Sequence, residues 1–205
     1  MADVKPVRRP TLRAERAAVT RGRIAEAARL LFLRDGYGAT TIAAIAVEAG
    51  VAVQTVYAVY GSKLGIFREL RDSIANQPEA DALVGLALAA PDSAAKLNLF
   101  AASIRARWEA GHDVVTIGAQ AAAVDPAIRA EIELVLARRR AGIAGFAGSL
   151  EGGLAAAIDV RRAAALIDAL TTPELYEILT RTHSWSPADY EAWLAESLRR
   201  QLLPG

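Results

Sequence analysis

"AGVAVQTVYAVYGSK", residues Ala49 to Lys63, is the stretch on which the reading of this chain turns. Valines, two tyrosines, a glutamine and a threonine stand between Gly50 and Gly61, and the stretch closes on Ser62 and Lys63. Val53, Val56 and Tyr60 share one face of a helix, whereas Gln54, Thr55, Tyr57 and Ala58 fall largely outside it. Just upstream, "TTIAAIAVEAG" opens on Thr40 or Thr41, either of them a good cap. It puts Ile42, Ile45, Ala46 and Ala49 on one stripe and stops at Gly50. Two short helices joined by a tight glycine-containing turn form the helix-turn-helix pattern, whose second helix enters a DNA major groove.

The flanks extend this unit. From Thr20, Ile24, Ala28, Leu31 and Phe32 recur at helical spacing until Gly36 ends the helix. After Gly61, Ser62 is placed to cap a further helix, "KLGIFRELRDSIA". Residues 20–70 therefore read as a three-helix helix-turn-helix DNA-binding domain leading into that helix. Residues 1–19, rich in Arg and Pro and without apolar periodicity, read as a mobile basic arm. Beyond Pro78, Ala-rich amphipathic segments predict helices at about 92–110, 113–123, 126–149, 155–181 with a break near Pro173, and 187–203. Residues 71–205 are thus expected to form a larger helical bundle. The fold class is all-α, with about nine helices, and there is no repeat of solenoid period.

Charge divides the chain the same way. Residues 1–71 carry 12 Lys and Arg against 6 Asp and Glu, a net of +6; the remainder carries 12 against 17, a net of −5. A basic first third of this kind suits a polyanion. The 205 residues include no cysteine, which excludes disulfides and thiolate chemistry. The longest apolar runs, such as Leu83–Ala90, fall short of the roughly 20 residues that cross a bilayer. No membrane partner is expected. The Arg-rich start has no apolar core of a signal peptide, so a cytoplasmic location is expected.

Nothing points to catalysis. His112 and His183 lack metal-ligand spacing, and no phosphate loop, dinucleotide fingerprint or nucleophile elbow is present. No catalytic residue, metal or cofactor is expected, and the protein reads as not an enzyme. Arg138, Arg139 and Arg140 cover almost a full helical turn, so at least one of them must turn inward or meet a partner.

The run from Ile24 to Phe67 resembles the N-terminal domain of TetR-type transcriptional regulators. An apolar helix with "LF", a "GY" turn, "TTI" opening the second helix, "AGV", "T-x-Y" in the recognition helix and "SK" after it all agree in one register. The segment from Ala163 to Leu198 is similar to the last two helices of one branch of that family. The chain departs from the usual pattern at Ala52, Gln54 and Val59. The resemblance implies a ligand-responsive repressor that binds a palindromic operator in double-stranded DNA as a homodimer and is released by a small-molecule effector.

In this register Thr40, Thr41, Thr55, Tyr57 and Lys63 are candidates for phosphate contact. Gln54 is the candidate base reader, since its amide pairs in bidentate fashion with adenine, and Val53 and Ala58 suit thymine methyls. Arg8, Arg9 and Arg13 are candidate arm contacts. Phe100, Ile104, Trp108, His112, Tyr176 and Trp185, bulky groups amid alanines, are candidates to line an effector pocket. Ala163, Leu166, Ile167 and Leu170, with Tyr190, Leu194, Leu198 and Leu202, form stripes expected to meet at a dimer interface. Two rival readings exist: a helical enzyme or effector-binding module with a basic tail, and a non-specific architectural DNA binder.

Overall fold

The computed structural model describes residues 12–205, and among these every regular element is helical. The chain divides into two units, Met1–Leu70 and Arg71–Gly205. In the first, α1 (Leu12–Asp35) buries Ile24, Ala27, Ala28, Leu31 and Phe32, and it ends at Gly36, where φ is +86°. It begins eight residues before the expected Thr20. Leu12–Val19 are all exposed, so this segment is helical through the propensity of its Ala, Arg, Glu and Leu residues and shows no apolar stripe.

Helix α2 (Ile42–Ala49) is capped by Thr41, whose hydroxyl accepts from the Ala44 N–H at 3.1 Å. Gly50 then takes the left-handed conformation, with φ 62° and ψ 43°. Helix α3 (Val53–Tyr60) follows, its axis turned 105° from that of α2. Its N-cap Ala52 makes no side-chain cap bond, as its methyl requires. Helix α4 (Lys63–Ala75) starts under the Ser62 hydroxyl, which accepts from the Gly65 N–H at 3.1 Å. Ile45, Val56, Ile66, Phe67 and Leu70 complete the core begun by α1, with Tyr37 wedged against Phe32 and Phe67 at 5.0 and 6.3 Å between ring centroids.

In the second unit, α6 (Ser93–Val124) is the central element, packed by α5 (Pro78–Ala89), α7 (Pro126–Gly148), α9 (Pro173–Glu177) and α10 (Pro187–Leu202). Helix α8 (Val160–Leu170) lies on α7 and α10. Asp92, Asp125 and Asp159 cap α6, α7 and α8, and Ser186 with Asp189 forms a reciprocal capping box on α10. Helix α5 has no place in the sequence-based reading: its apolar residues show no single stripe, and Leu86 and Leu88 stay exposed. Between the segments expected at 92–110 and 113–123, the chain departs from helical geometry only at Gly111 (φ −164°, ψ 27°). A Cβ there would fall 2.4 Å from Ile74 Cγ1, so glycine permits the close approach of Ile74, which belongs to the same unit. Helix α8 starts at Val160 instead of near 155, where Asp159 supplies the cap. After Pro173 the chain passes through α9 into a π-helical turn at Ile178–Thr182.

Candidate nucleic-acid interface

The outward side of α3 is built by exclusion. Val56 is buried, and the Tyr60 hydroxyl donates to the Arg21 carbonyl at 3.0 Å while its ring lies under the Arg21 guanidinium. Burial, reinforced by Glu69, lifts the Tyr60 phenol to about 12, so it stays neutral. With one face of α3 committed in this way, Val53, Gln54, Tyr57 and Ala58 are left exposed and Thr55 half-buried. Tyr57 keeps 53% of its surface in solvent. The polar groups of Gln54, Thr55 and Tyr57 make no side-chain hydrogen bond among the described residues, and each is therefore open to a partner. An exposed tyrosine, an amide and small apolar groups on a short helix turned across its neighbour suit a groove of base edges flanked by phosphates.

The polar residues at the rim divide between exposed positions and internal bracing. Thr41 is exposed at the N-terminus of α2, where unpaired N–H groups favour an anion. Thr40 is 4% exposed, and its hydroxyl reaches the Gly36 and Leu31 carbonyls at 2.8 and 3.2 Å. That hydroxyl is part of the α1–α2 turn, not of the outer surface. Lys63 is bound in the same turn: its ammonium donates to Tyr37 O at 2.6 Å and Thr40 O at 2.9 Å, and stands 4.3 Å from the Tyr37 ring centroid. In the structure this ammonium forms an intramolecular clamp, because three carbonyls of the loop converge within one side chain's length.

Two arginines of α1 carry braces that no sequence signal marked. Arg21 pairs with Glu69 at 2.8 Å, and Arg23 donates to Ala49 O at the end of α2. Arg13 is exposed on the first turn of α1; Arg8 and Arg9 lie outside the described residues.

Of the six expected pocket residues, Trp108, His112 and Tyr176 adjoin one another in the second unit. Phe100 stacks on Phe146 at 4.0 Å, Ile104 is buried, and Trp108 donates its indole N–H to Thr171 O at 3.1 Å. The His112 ring adjoins Tyr176 at 5.4 Å; its Nδ1 lies 2.9 Å from Trp108 O, and its Nε2 accepts from Arg181 at 3.0 Å. Trp185 stands apart from these, against Trp193. One cleft of about 350 Å³ opens between α6 and α10, lined by residues that include Asn98, Glu191 and Arg199. Arg139 is the inward arginine of its triplet: it pairs with Asp168 and donates to Thr171 O and Oγ1 at 2.9 and 2.8 Å.

The stripes read as a dimer face turn inward. Ala163, Ile167, Tyr190, Leu194, Leu198 and Leu202 are fully buried within their own chain, which leaves Leu166 and Leu170 half-buried on α8. The strongest apolar stripe of a helix is claimed first by the subunit's own core.

Residues 24–70 match the family model for bacterial regulatory proteins of the tetR family. The sequence matches none of the curated proteins. Among solved structures, the chain is similar to NalD of Pseudomonas aeruginosa, the secondary repressor of the MexAB-OprM multidrug efflux pump. The identity is 22%, the match covers 92% of this chain and 98% of that one, and the TM-score is 0.69. It is likewise similar to a putative TetR-family transcriptional regulator from Mesorhizobium loti, at 23% identity, coverage of 92% and 99%, and TM-score 0.67. A third is the transcriptional regulator FadR from Bacillus subtilis in complex with stearoyl-CoA, at 17% identity, coverage of 86% and 96%, and TM-score 0.65.

Proposed function

From the premise that residues 24–70 make this chain a member of the tetR family of DNA-binding regulators, we propose that it is a cytoplasmic, non-enzymatic repressor. It binds a palindromic operator as a homodimer and leaves it when a small, largely apolar effector binds in residues 71–205. The observation that carries this reading is the outward face of α3. Gln54 reads a base there, Val53 and Ala58 meet thymine methyls, and Thr55, Tyr57 and Thr41 hold the phosphates, with Arg8, Arg9 and Arg13 following the flanking backbone. NalD, a repressor, and FadR, solved with stearoyl-CoA, support the two halves of the proposal by likeness of fold.

Effector and operator communicate through α4. Its last turn is fastened within the second unit, where Arg71 pairs with Glu131 of α7 and Arg107 of α6 donates to Ile74 O and Ala75 O at 2.8 and 3.1 Å. A ligand that displaces α6 or α7 moves that end of the helix. By linkage, an effector that weakens DNA about 100-fold binds the DNA-free form better by about 2.7 kcal/mol. The dimer uses the half-buried Leu166 and Leu170 of α8. Leu166→Glu is expected to give monomer in sedimentation with its helical content retained, and an undiminished dimer places the interface elsewhere.

The test of the whole reading is selection of bound sequences from a random duplex pool at two salt concentrations. A recovered inverted repeat whose affinity falls steeply between about 50 and 200 mM salt supports it. Binding without sequence preference indicates an architectural protein, and no binding indicates an effector-binding module.

A further inference from the structure

At the start of α10, Trp185, Asp189 and Trp193 line an open cleft of about 320 Å³. The two indole planes stand at 78° with centroids 6.1 Å apart, so they form two adjoining walls. Trp193 is backed by the ring of Tyr190 at 6.1 Å, and Tyr190 is fully buried, which fixes that wall to the core. Trp185 is set by its backbone. Its N–H donates to Leu179 O at 3.0 Å, and the preceding Ser184 has φ 55°, the one positive φ among the described non-glycine residues. Both tryptophans are half-buried.

Asp189 supplies the charge. Its Oδ2 accepts from Ser186 N at 3.1 Å and Ser186 Oγ at 2.7 Å. Those bonds hold its carboxyl below the usual carboxylate range, so it is anionic at neutral pH. The same carboxylate offsets the positive end of the α10 dipole, which otherwise opposes a cation here.

The chemistry of the walls selects the occupant. A hydrated metal ion needs several oxygen or nitrogen donors, and one carboxylate beside two indoles does not provide them. An anion meets the Asp189 charge, and a neutral apolar molecule makes no use of it. A weakly hydrated organic cation uses all three residues, its methyl groups on the indoles and its charge beside the carboxylate. We propose that the Trp185–Asp189–Trp193 cleft is a binding site for a quaternary ammonium group.

The probe is tetramethylammonium, titrated calorimetrically into the full chain, with tert-butanol and sodium as the neutral and the hydrated controls. Tetramethylammonium is expected to bind at least about tenfold more tightly than either, a difference of about 1.4 kcal/mol. Trp185→Leu and Trp193→Leu are each expected to weaken it about tenfold, within the range of a cation–π contact. Asp189→Asn keeps an oxygen that accepts from Ser186 and removes only the charge; it is expected to weaken tetramethylammonium several-fold and leave tert-butanol unchanged. Equal binding of tetramethylammonium and tert-butanol overturns the proposal in favour of an apolar slot. Absence of binding, or binding that survives Asp189→Asn and both tryptophan substitutions, overturns it as well. Circular dichroism of each variant identifies a tryptophan substitution that fails to fold, and Asp189→Asn then decides.

Discussion

Lys63→Met separates a structural clamp from a phosphate contact. In the structure the ammonium donates to Tyr37 O and Thr40 O at 2.6 and 2.9 Å, with a longer approach to Gly38 O and the Tyr37 ring beneath it. Hydrogen bonds involving a charged group are worth about 1.5–3 kcal/mol each. Lys63 is half-buried, and solvent recovers part of the loss at the freed carbonyls. Two bonds at the low end therefore give about 2–3 kcal/mol for the first unit. Methionine keeps the apolar stem, so the loss reports the ammonium. Tryptophan emission does not follow this unit, because Trp108, Trp185 and Trp193 all belong to the second. The assay is amide hydrogen exchange, which resolves local opening. Protection of α2 and α3 is expected to fall by roughly 30- to 150-fold, the equivalent of that energy. Unchanged protection, together with a salt slope of DNA binding reduced by about one, refutes the clamp and returns Lys63 to the phosphate contacts.

Gln54→Ala is expected to leave stability within about 0.5 kcal/mol, as for an exposed residue without partners. In sequence selection it is expected to relax one base position by about 1–3 kcal/mol; an unchanged consensus removes Gln54 as a reader. Gly65→Ala places a Cβ 2.0 Å from Tyr60 O, a backbone atom, and is expected to lower the melting temperature of the first unit. Gly142→Ala, with nothing within 4 Å, is expected to raise the stability of α7 by about 0.5–1 kcal/mol in urea unfolding. The raised Tyr60 pKa stabilises the first unit fully below the unfolded tyrosine value near 10, and that contribution is lost as pH rises through about 12. Alkaline melts of wild type and Tyr60→Phe are expected to differ in slope within that window, and parallel curves refute the assignment.

Local chemistry alone determined α2, α3 and α4. Thr41, Gly50, Gly61 and Ser62 are caps and stops whose effect depends on their immediate neighbours, so the outward turn of Gln54, Tyr57 and Ala58 on α3 was legible from spacing, whereas Val53, which spacing sets beside Val56 and Tyr60, is exposed. Spacing likewise required one of Arg138, Arg139 and Arg140 to turn inward or meet a partner, and the fold selects Arg139. Tertiary structure decided what periodicity does not encode. Leu12–Val19 and α5 are helices without a clear apolar stripe, and a search for stripes passes over them. Thr40 and Thr41 are equivalent as capping residues; only the approach of Leu31 O and Gly36 O buries the first and leaves the second to cap α2. Lys63 reads as a free cation until the fold brings the carbonyls of residues 37–40 to it across more than twenty residues of chain. The stripes of α8 and α10 are apolar in either setting, and whether a partner subunit or the chain itself covers them is a question of which surface reaches them first. Here the chain's own helices cover Ile167, Tyr190, Leu194 and Leu198, because an intramolecular neighbour is always present at high effective concentration.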